Sequence, residues 1–307
     1  TISTTFDTGR CGLMSKSSCL PFYVAGVTQM RSKVYRRAND ATAPPQEMEP
    51  YKQEQRLLDD LLGTQLNLLT PAALFKAIES GRGTENTPIL VGHHNMHSLL
   101  RLQKDPAVVE FYSYCRYCYL DGQALAVVLR LLGVRHKELS GFSLMNDLPA
   151  LLQRAEGAGW RVAYIGSQPG VIELAEQRFR KLVPKLAFRL YHGYQGNYEQ
   201  TLEDLAQFAP DLLLVGMGMP KQELWILRHL QRLPASVILQ AGGTLDYLAG
   251  EQARPPRWIY RIGFAWFYRL VHSPRRLGRR YLLEPLCLVP RLSAFRQGLR
   301  SARKGSV

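Results

Sequence analysis

The chain has 307 residues, 46% of them hydrophobic, which is enough for one or two domains with a substantial core. Its formal net charge is +14, and twelve Arg and one Lys against the single acid Glu284 put +12 of that between Ala253 and Val307. No run reaches the roughly 18 apolar residues a bilayer span needs, and no charged region followed by an apolar core marks a secretory signal at the start. The five cysteines fit a reducing compartment. Cys115-x-x-Cys118 has no second pair or His cluster beside it, so its tyrosine-rich setting reads as core or strand rather than zinc.

Residues 1–55 are expected to be a flexible extension. They carry Ser/Thr-rich and Pro-rich pieces, a basic patch from Arg31 to Arg37, and little periodicity. From Arg56 the text becomes regular. Thr70-Pro71 opens a helix over 72–80. A buried strand over 88–92 follows, ending in His93-His94-Asn95, then helical pieces at 99–102 and 107–112. A strand at 117–120 stops at Asp121-Gly122, and a helix covers 124–132.

The second half repeats the alternation: helix 144–158, strand 161–165, helix 171–182, strand 187–191, helix 202–208, strand 211–215, helix 225–233 and strand 236–240. Strands separated by helices imply an α/β fold, Rossmann-like, with a mostly parallel sheet and helices on both faces. This core is expected over 56–252, followed by a basic, aromatic-rich helical appendage over 253–307.

In a parallel sheet all carboxyl strand ends lie on one edge, so Asn95, Asp121-Gly122, Gly166 to Gly170, Gly216 to Glu223 and Gly242 to Asp246 are expected to meet at one cleft. None matches the dinucleotide fingerprint or a Walker loop, which argues against a dinucleotide oxidoreductase or a P-loop NTPase. The stretch Val215-Gly216-Met217-Gly218-Met219-Pro220-Lys221-Gln222-Glu223 leads a strand through glycine into a helix start, where backbone N–H groups can approach a phosphate or sugar. Asp121 has two readings: a carboxylate that accepts a proton from a hydroxyl, or a cap on the next helix. His93, His94 and His97 lack a carboxylate or Cys partner at ligand spacing, so a metal is not expected there.

The ordered set Asn95, Asp121-Gly122, Ser140-Gly141, Tyr164-x-Gly166, His192-Gly193-Tyr194, Pro210-Asp211, Val215-Gly216-x-Gly218-x-Pro220-Lys221-Gln222-Glu223, Gly242-Gly243-x-x-Asp246 and Trp266-x-Tyr268-Arg269-Leu270 resembles the WecG/TagA/CpsF glycosyltransferases, glycosyltransferase family 26, from Leu57 to Pro290. The resemblance implies an inverting, metal-independent transfer, without a cofactor, from a UDP-sugar donor to a polyprenyl-diphosphate-linked sugar acceptor at the cytoplasmic membrane face. It implies Asp121 as general base and Asn95 as the residue orienting substrate hydroxyls. Gly166, Gly216, Gly218, Lys221, Gln222, Glu223, Gly243 and Asp246 are then expected at the substrate. Arg269, Arg276 and Arg279 are expected to cover the diphosphate.

Two positions depart from the family pattern, Glu138 where an arginine is usual and Ala265 where a glutamate precedes the Trp. They lean the reading toward an exopolysaccharide role rather than transfer of N-acetylmannosamine or its uronic acid in teichoic-acid or common-antigen assembly.

In the tail, Trp258, Tyr260, Phe264, Trp266, Phe267, Tyr268 and Tyr281 interleave with arginines. Rings at the headgroup layer and Arg on lipid phosphates suit an anionic membrane surface, and a nucleic-acid partner is not expected because it leaves the strand-end constellation without a purpose. A non-catalytic nucleotide-sugar sensor or scaffold, and self-association into a homo-oligomer, are the other uses this tail allows.

Overall fold

The computed structural model describes residues 49–304 apart from 65, 68–70, 82–87, 135–138, 140–142, 253–254, 257–258 and 260–263. Most of the expected extension, the Ser140-Gly141 pair, Glu138 and the aromatic residues Trp258 and Tyr260 therefore lie outside the described residues. Helix α1 (Glu49–Leu62) begins inside the segment set apart from sequence. Its first half, Glu49 to Gln55, is polar and shows no apolar period. Leu58, Leu61 and Leu62 on the second half are buried.

Six strands form one sheet: β1 (Ile89–His94), β2 (Cys115–Leu120), β3 (Arg161–Gly166), β4 (Ala187–Tyr191), β5 (Leu212–Gly216) and β6 (Val237–Gln240). Their order is β2-β1-β6-β5-β3-β4, and every neighbouring pair is parallel. The helices are α2 (Pro71–Gly81), α3 (Met96–Lys104), α4 (Pro106–Tyr114), α5 (Gln123–Leu132), α6 (Leu144–Gly157), α7 (Pro169–Leu182), α8 (Glu199–Phe208), α9 (Lys221–His229) and α10 (Thr244–Ala249). The tail adds α11 (Ala265–His272), α12 (Pro274–Gly278) and α13 (Glu284–Lys304).

The strands read as continuous apolar runs because both faces are covered. Val91, Val162, Tyr164, Leu212, Leu214 and Leu239 enter one core with residues of α2, α6, α7 and α10. Leu90, Ala163, Ile165, Leu213, Val215 and Ile238 alternate into the other, with residues of α4, α8 and α9. The period-2 alternation thus assigns each strand residue to a face. β2 starts at Cys115, two residues before the expected strand. The ladder runs Leu90 to Cys115 and then Val91 to Tyr117, so Arg116 is stepped over, and this irregularity breaks the apolar pattern. Cys118 is buried and Cys115 half-buried, and both are free thiols.

A third cluster joins the tail to the core. Leu288, Phe295 and Leu299 lie on one face of α13 and pack with Leu58, Leu61 and Leu62 of α1, Leu99 and Leu100 of α3, and Leu125, Ala126 and Leu129 of α5. Docking α13 on α1, α3 and α5 carries the tail to the carboxyl edge of β1 and β2. No helix among the described residues is long and apolar enough to cross a membrane.

Candidate active site

Because the sheet is parallel, the chain leaves β1, β2 and β6 on the same edge, and a cavity of about 660 Å³ opens there. That size falls in the range of small-ligand sites. Asn95, Asp121, Gly218, Gln222, Gly243 and Arg269 line it, so these sequence-expected residues share one cleft.

Asp121 follows the last residue of β2, and its backbone N–H donates to the His94 carbonyl oxygen at 2.8 Å, extending the β1–β2 ladder by one step. The helix-cap reading fails geometrically: the N-cap of α5 is Gly122, with φ of 96°, and no side chain caps the helix. The left-handed glycine lets the chain turn directly into the helix and leaves the Asp121 carboxylate on the cleft wall. Asp147 also faces the cleft, from the first turn of α6. Its Oδ2 accepts from the Ser143 N–H at 2.8 Å. Burial pushes the Asp147 carboxyl above its ordinary pKa, the Ser143 N–H opposes this, and the nearby Asp121 charge adds to the rise.

Asn95 is placed otherwise than sequence alone suggests. Its Oδ1 caps α3, accepting from the His97 N–H at 2.9 Å and the Ser98 N–H at 3.1 Å. Ser98 Oγ completes a capping box by accepting from the Asn95 N–H at 2.9 Å. Asn95 can therefore offer a ligand its amide N–H group but not its oxygen.

The turn after β5 is tied to the cleft floor by a chain of buried amides. The His93 N–H donates to Gln240 Oε1 at 2.8 Å, and Gln240 Nε2 donates to Glu223 Oε1 at 2.6 Å. Gln222 Nε2 donates to the same Glu223 oxygen at 3.2 Å, while Gln222 Oε1 accepts from the Gly242 N–H at 3.2 Å. Gln222, Glu223 and Gln240 are all 0% exposed. This network fixes β1, β6 and the start of α9 to one another. It puts Glu223 beneath the cleft rather than on it, and burial pushes its carboxyl up to about 7.

The tail forms the opposite wall. Trp266, Arg269, Arg280 and Tyr281 line the cleft. The Arg269 guanidinium lies over the Tyr247 ring at 5.0 Å, and its Nη2 meets Met145 Sδ at 3.3 Å. Trp266 and Tyr281 meet edge to face at 6.3 Å. Glu284, the one acid of the tail, pairs its Oε2 with His97 Nδ1 at 2.6 Å. This bond links the start of α13 to the first turn of α3, next to Asn95. Burial and the Arg280 charge lower the His97 pKa, and Glu284 opposes them.

The remaining expected site residues that the structure describes do not line the cavity. Gly166 and Gly216 are packing positions. A Cβ on Gly216 would strike the Tyr164 hydroxyl and come within 2.5 Å of the Gly242 carbonyl oxygen, and one on Gly166 would strike the Gly216 carbonyl. Lys221 is exposed, its ammonium 4.0 Å from the Tyr194 ring centroid and 3.3 Å from the Gly193 carbonyl oxygen. Asp246 stands behind the wall, accepting from Gln252 Nε2 at 2.9 Å, and Gln252 is the residue that reaches the cleft. Arg279 is exposed and its neighbour Arg280 takes the cleft position, while the side chain of Arg276 lies outside the described residues.

Sequence reasoning missed His93, Asp147, Tyr247 and Arg280 on the cleft wall. His93 carries a usable signal, since it lies two residues before Asn95 at the carboxyl end of a strand. Asp147 and Arg280 had none, because each reaches the cleft from a helix whose docking depends on distant contacts.

A carboxylate without a side-chain hydrogen bond among the described residues, in one cleft with two guanidinium groups at the carboxyl edge of a parallel sheet, suits a group-transfer enzyme that activates a hydroxyl and receives an anionic leaving group. The Glycosyl transferase WecG/TagA/CpsF family model matches residues 60–304, and the chain belongs to that family of glycosyltransferases. Among similar curated proteins are the N-acetylglucosaminyldiphosphoundecaprenol N-acetyl-beta-D-mannosaminyltransferases of Staphylococcus aureus strains MW2 and NCTC 8325. Each is 28% identical over 207 residues, which cover 64% of this chain and 80% of the relative. Among the described residues, no group of three or more His, Cys, Asp or Glu side chains is placed to hold a metal ion.

Proposed function

We propose that the protein is an inverting glycosyltransferase that moves a hexose or N-acetylhexosamine-type sugar from a UDP-sugar to a polyprenyl-diphosphate-linked saccharide. The observation that carries this reading is the Asp121 carboxylate, without a hydrogen bond among the described residues, sharing one cleft with Arg269 and Arg280. Asp121 takes the proton from the acceptor hydroxyl as that oxygen attacks the anomeric carbon. The new C–O bond forms on the face opposite the nucleotide, the bond from the anomeric carbon to the phosphate oxygen breaks, and UDP leaves with the electron pair. Arg269 and Arg280 stabilise that negative charge by charge-assisted hydrogen bonds, which supplies the electrostatic role without a metal.

The acceptor's lipid places the reaction at the inner face of a bacterial cytoplasmic membrane, with the protein peripheral on it. Support comes from the outer face of the tail. Phe264, Phe267 and Val271 are exposed around α11, and Leu282, Leu283, Leu286 and Val289 are each more than 50% exposed around the start of α13. Exposed Arg275 and Arg279 lie between these two apolar groups in the chain. Apolar side chains beside arginines suit an anionic headgroup layer, where each basic residue contributes on the order of 1 kcal/mol.

An exopolysaccharide role is the first reading for the polymer. The named activity of the staphylococcal relatives favours a second, transfer of N-acetylmannosamine to a diphosphoundecaprenol-linked N-acetylglucosamine. A panel of UDP-glucose, UDP-N-acetylglucosamine and UDP-N-acetylmannosamine decides between them, offered with a prenyl-diphosphate-linked sugar on vesicles containing about 30% anionic lipid. Release of UDP and an extended lipid-linked product from one donor is expected. Lack of product from every donor, with binding to vesicles absent, contradicts the reading.

A further inference from the structure

His93 stands out among the polar groups of the cleft. It is the penultimate residue of β1 and faces Tyr119 of β2 across the ladder, with ring centroids 5.7 Å apart. Asp121 lies two residues beyond Tyr119. With the period-2 alternation of a strand, His93, Tyr119 and Asp121 belong to the same face of the sheet edge. His93 is only 5% exposed yet lines the cavity.

Its backbone is fully committed. The N–H donates to Gln240 and the carbonyl oxygen accepts from the Tyr112 hydroxyl at 2.6 Å. Its ring Nδ1 is not: among the described residues it is buried without a hydrogen-bond partner. The other two histidines of this stretch are engaged: His94 stacks on Tyr112 at 4.6 Å, and His97 is held by Glu284. A buried ring nitrogen left unpaired in a cleft wall is what a polar ligand group would satisfy.

Resting on the glycosyl-transfer reading, we propose that His93 binds the acceptor sugar: its Nδ1 hydrogen-bonds a hydroxyl of that sugar and so turns the attacking oxygen toward Asp121. Burial is the largest influence on the ring and favours its neutral form: it lowers the His93 pKa, His94 of β1 and Arg280 of the tail add to that, and Asp121 and the Gln240 backbone oppose it. A neutral imidazole can present Nδ1 as donor or acceptor, which suits a hydroxyl, and it leaves Asp121 as the base. The network through Gln240 and Glu223 then has a purpose beyond packing, since it sets the height of His93 in the cleft.

The test compares H93A, H93N and H93L with the parent in steady-state transfer. A short-chain prenyl-diphosphate N-acetylglucosamine serves as acceptor, with whichever UDP-sugar the parent uses. Loss of one neutral hydrogen bond predicts an acceptor KM raised about tenfold in H93A and H93L, with a smaller change in donor KM. H93N, whose amide can reach the position of Nδ1, is expected to recover most of the loss. Equal shifts in both KM values, an acceptor KM within about twofold of the parent, or H93N no better than H93L would make His93 a packing residue. If H93A does not fold, the H93N and H93L pair carries the same comparison. A parent that releases UDP but extends no acceptor would fault the proposed function instead. Equilibrium binding of the acceptor probe to parent and H93L would then decide the role of His93 on its own.

Discussion

At the ends of β1, β2 and β6, and in the turn beyond β5, the sheet opens into a cleft, whereas at the last residues of β3 and β5 it is packed shut. On the open half Gly122 and Gly218 adopt φ of 96° and 77°, and a Cβ added to either would meet nothing closer than 4.0 Å. On the closed half Gly166, Gly193 and Gly216 allow backbones and the Tyr164 ring to touch. The Tyr164 hydroxyl donates to the Gly216 carbonyl oxygen at 3.2 Å and lies 3.0 Å from Ser167 Oγ. Glycine after a buried strand thus has two uses within one sheet. It turns the chain so that a side chain can face the cleft, or it removes a side chain so that strand ends can close. The β3 and β5 ends serve by holding the β6 end, through Gly216 against Gly242, in the position the cleft requires.

That contrast can be broken by substitution. Gly216→Ala should destabilise the fold by about 3 kcal/mol or more, because the methyl would strike the Tyr164 hydroxyl and the Gly242 carbonyl in a packed site. Gly218→Ala meets open space and carries only backbone strain, so a loss of about 1–2 kcal/mol is expected. Urea melts of both variants measure this. Equal losses would erase the distinction between a glycine that packs and a glycine that turns the chain.

A smaller, pH-dependent effect probes the floor between them. The buried Glu223 carboxyl holds its proton up to about pH 7, against 4.5 for an ordinary glutamate. The folded state therefore binds an extra proton between those values, and this contribution to stability is lost as pH rises through 7. Glu223→Gln removes the titration, so its stability relative to the parent should improve by on the order of 2–3 kcal/mol between pH 5 and pH 8. A pH-independent difference would mean that Glu223 does not titrate in this range.

Much of the fold was legible because buried parallel strands carry a strong local signal. The β3, β4 and β5 limits differ from the expected ones by one residue or less, and the period of two in strand geometry then assigns their residues to two faces. The polar start of α1 was missed because Glu49 to Gln55 shows no apolar period. At the site, Asp121, Gln222 and Arg269 were reachable from motif and strand-end position. Glu223 and Asp246 share the same motifs but point into the buried amide network or behind the wall, and adjacency in sequence cannot separate a cleft residue from its support. The exchange of Arg279 for Arg280 has the same origin, for which arginine turns inward depends on how α13 docks on α1 and α3. Asn95 satisfies a motif and a cap at once, and the helix start that Ser98 completes is the larger part of what its side chain does.

The proposed transfer centres on Asp121 as the group that takes the acceptor's proton. Single-turnover transfer by Asp121→Asn, with UDP binding measured on the same sample, tests this most directly. General-base removal predicts a rate at least about 10²–10³-fold lower with the UDP dissociation constant within about threefold of the parent. Transfer within tenfold of the parent, or loss of UDP binding in proportion to the loss of rate, would contradict it.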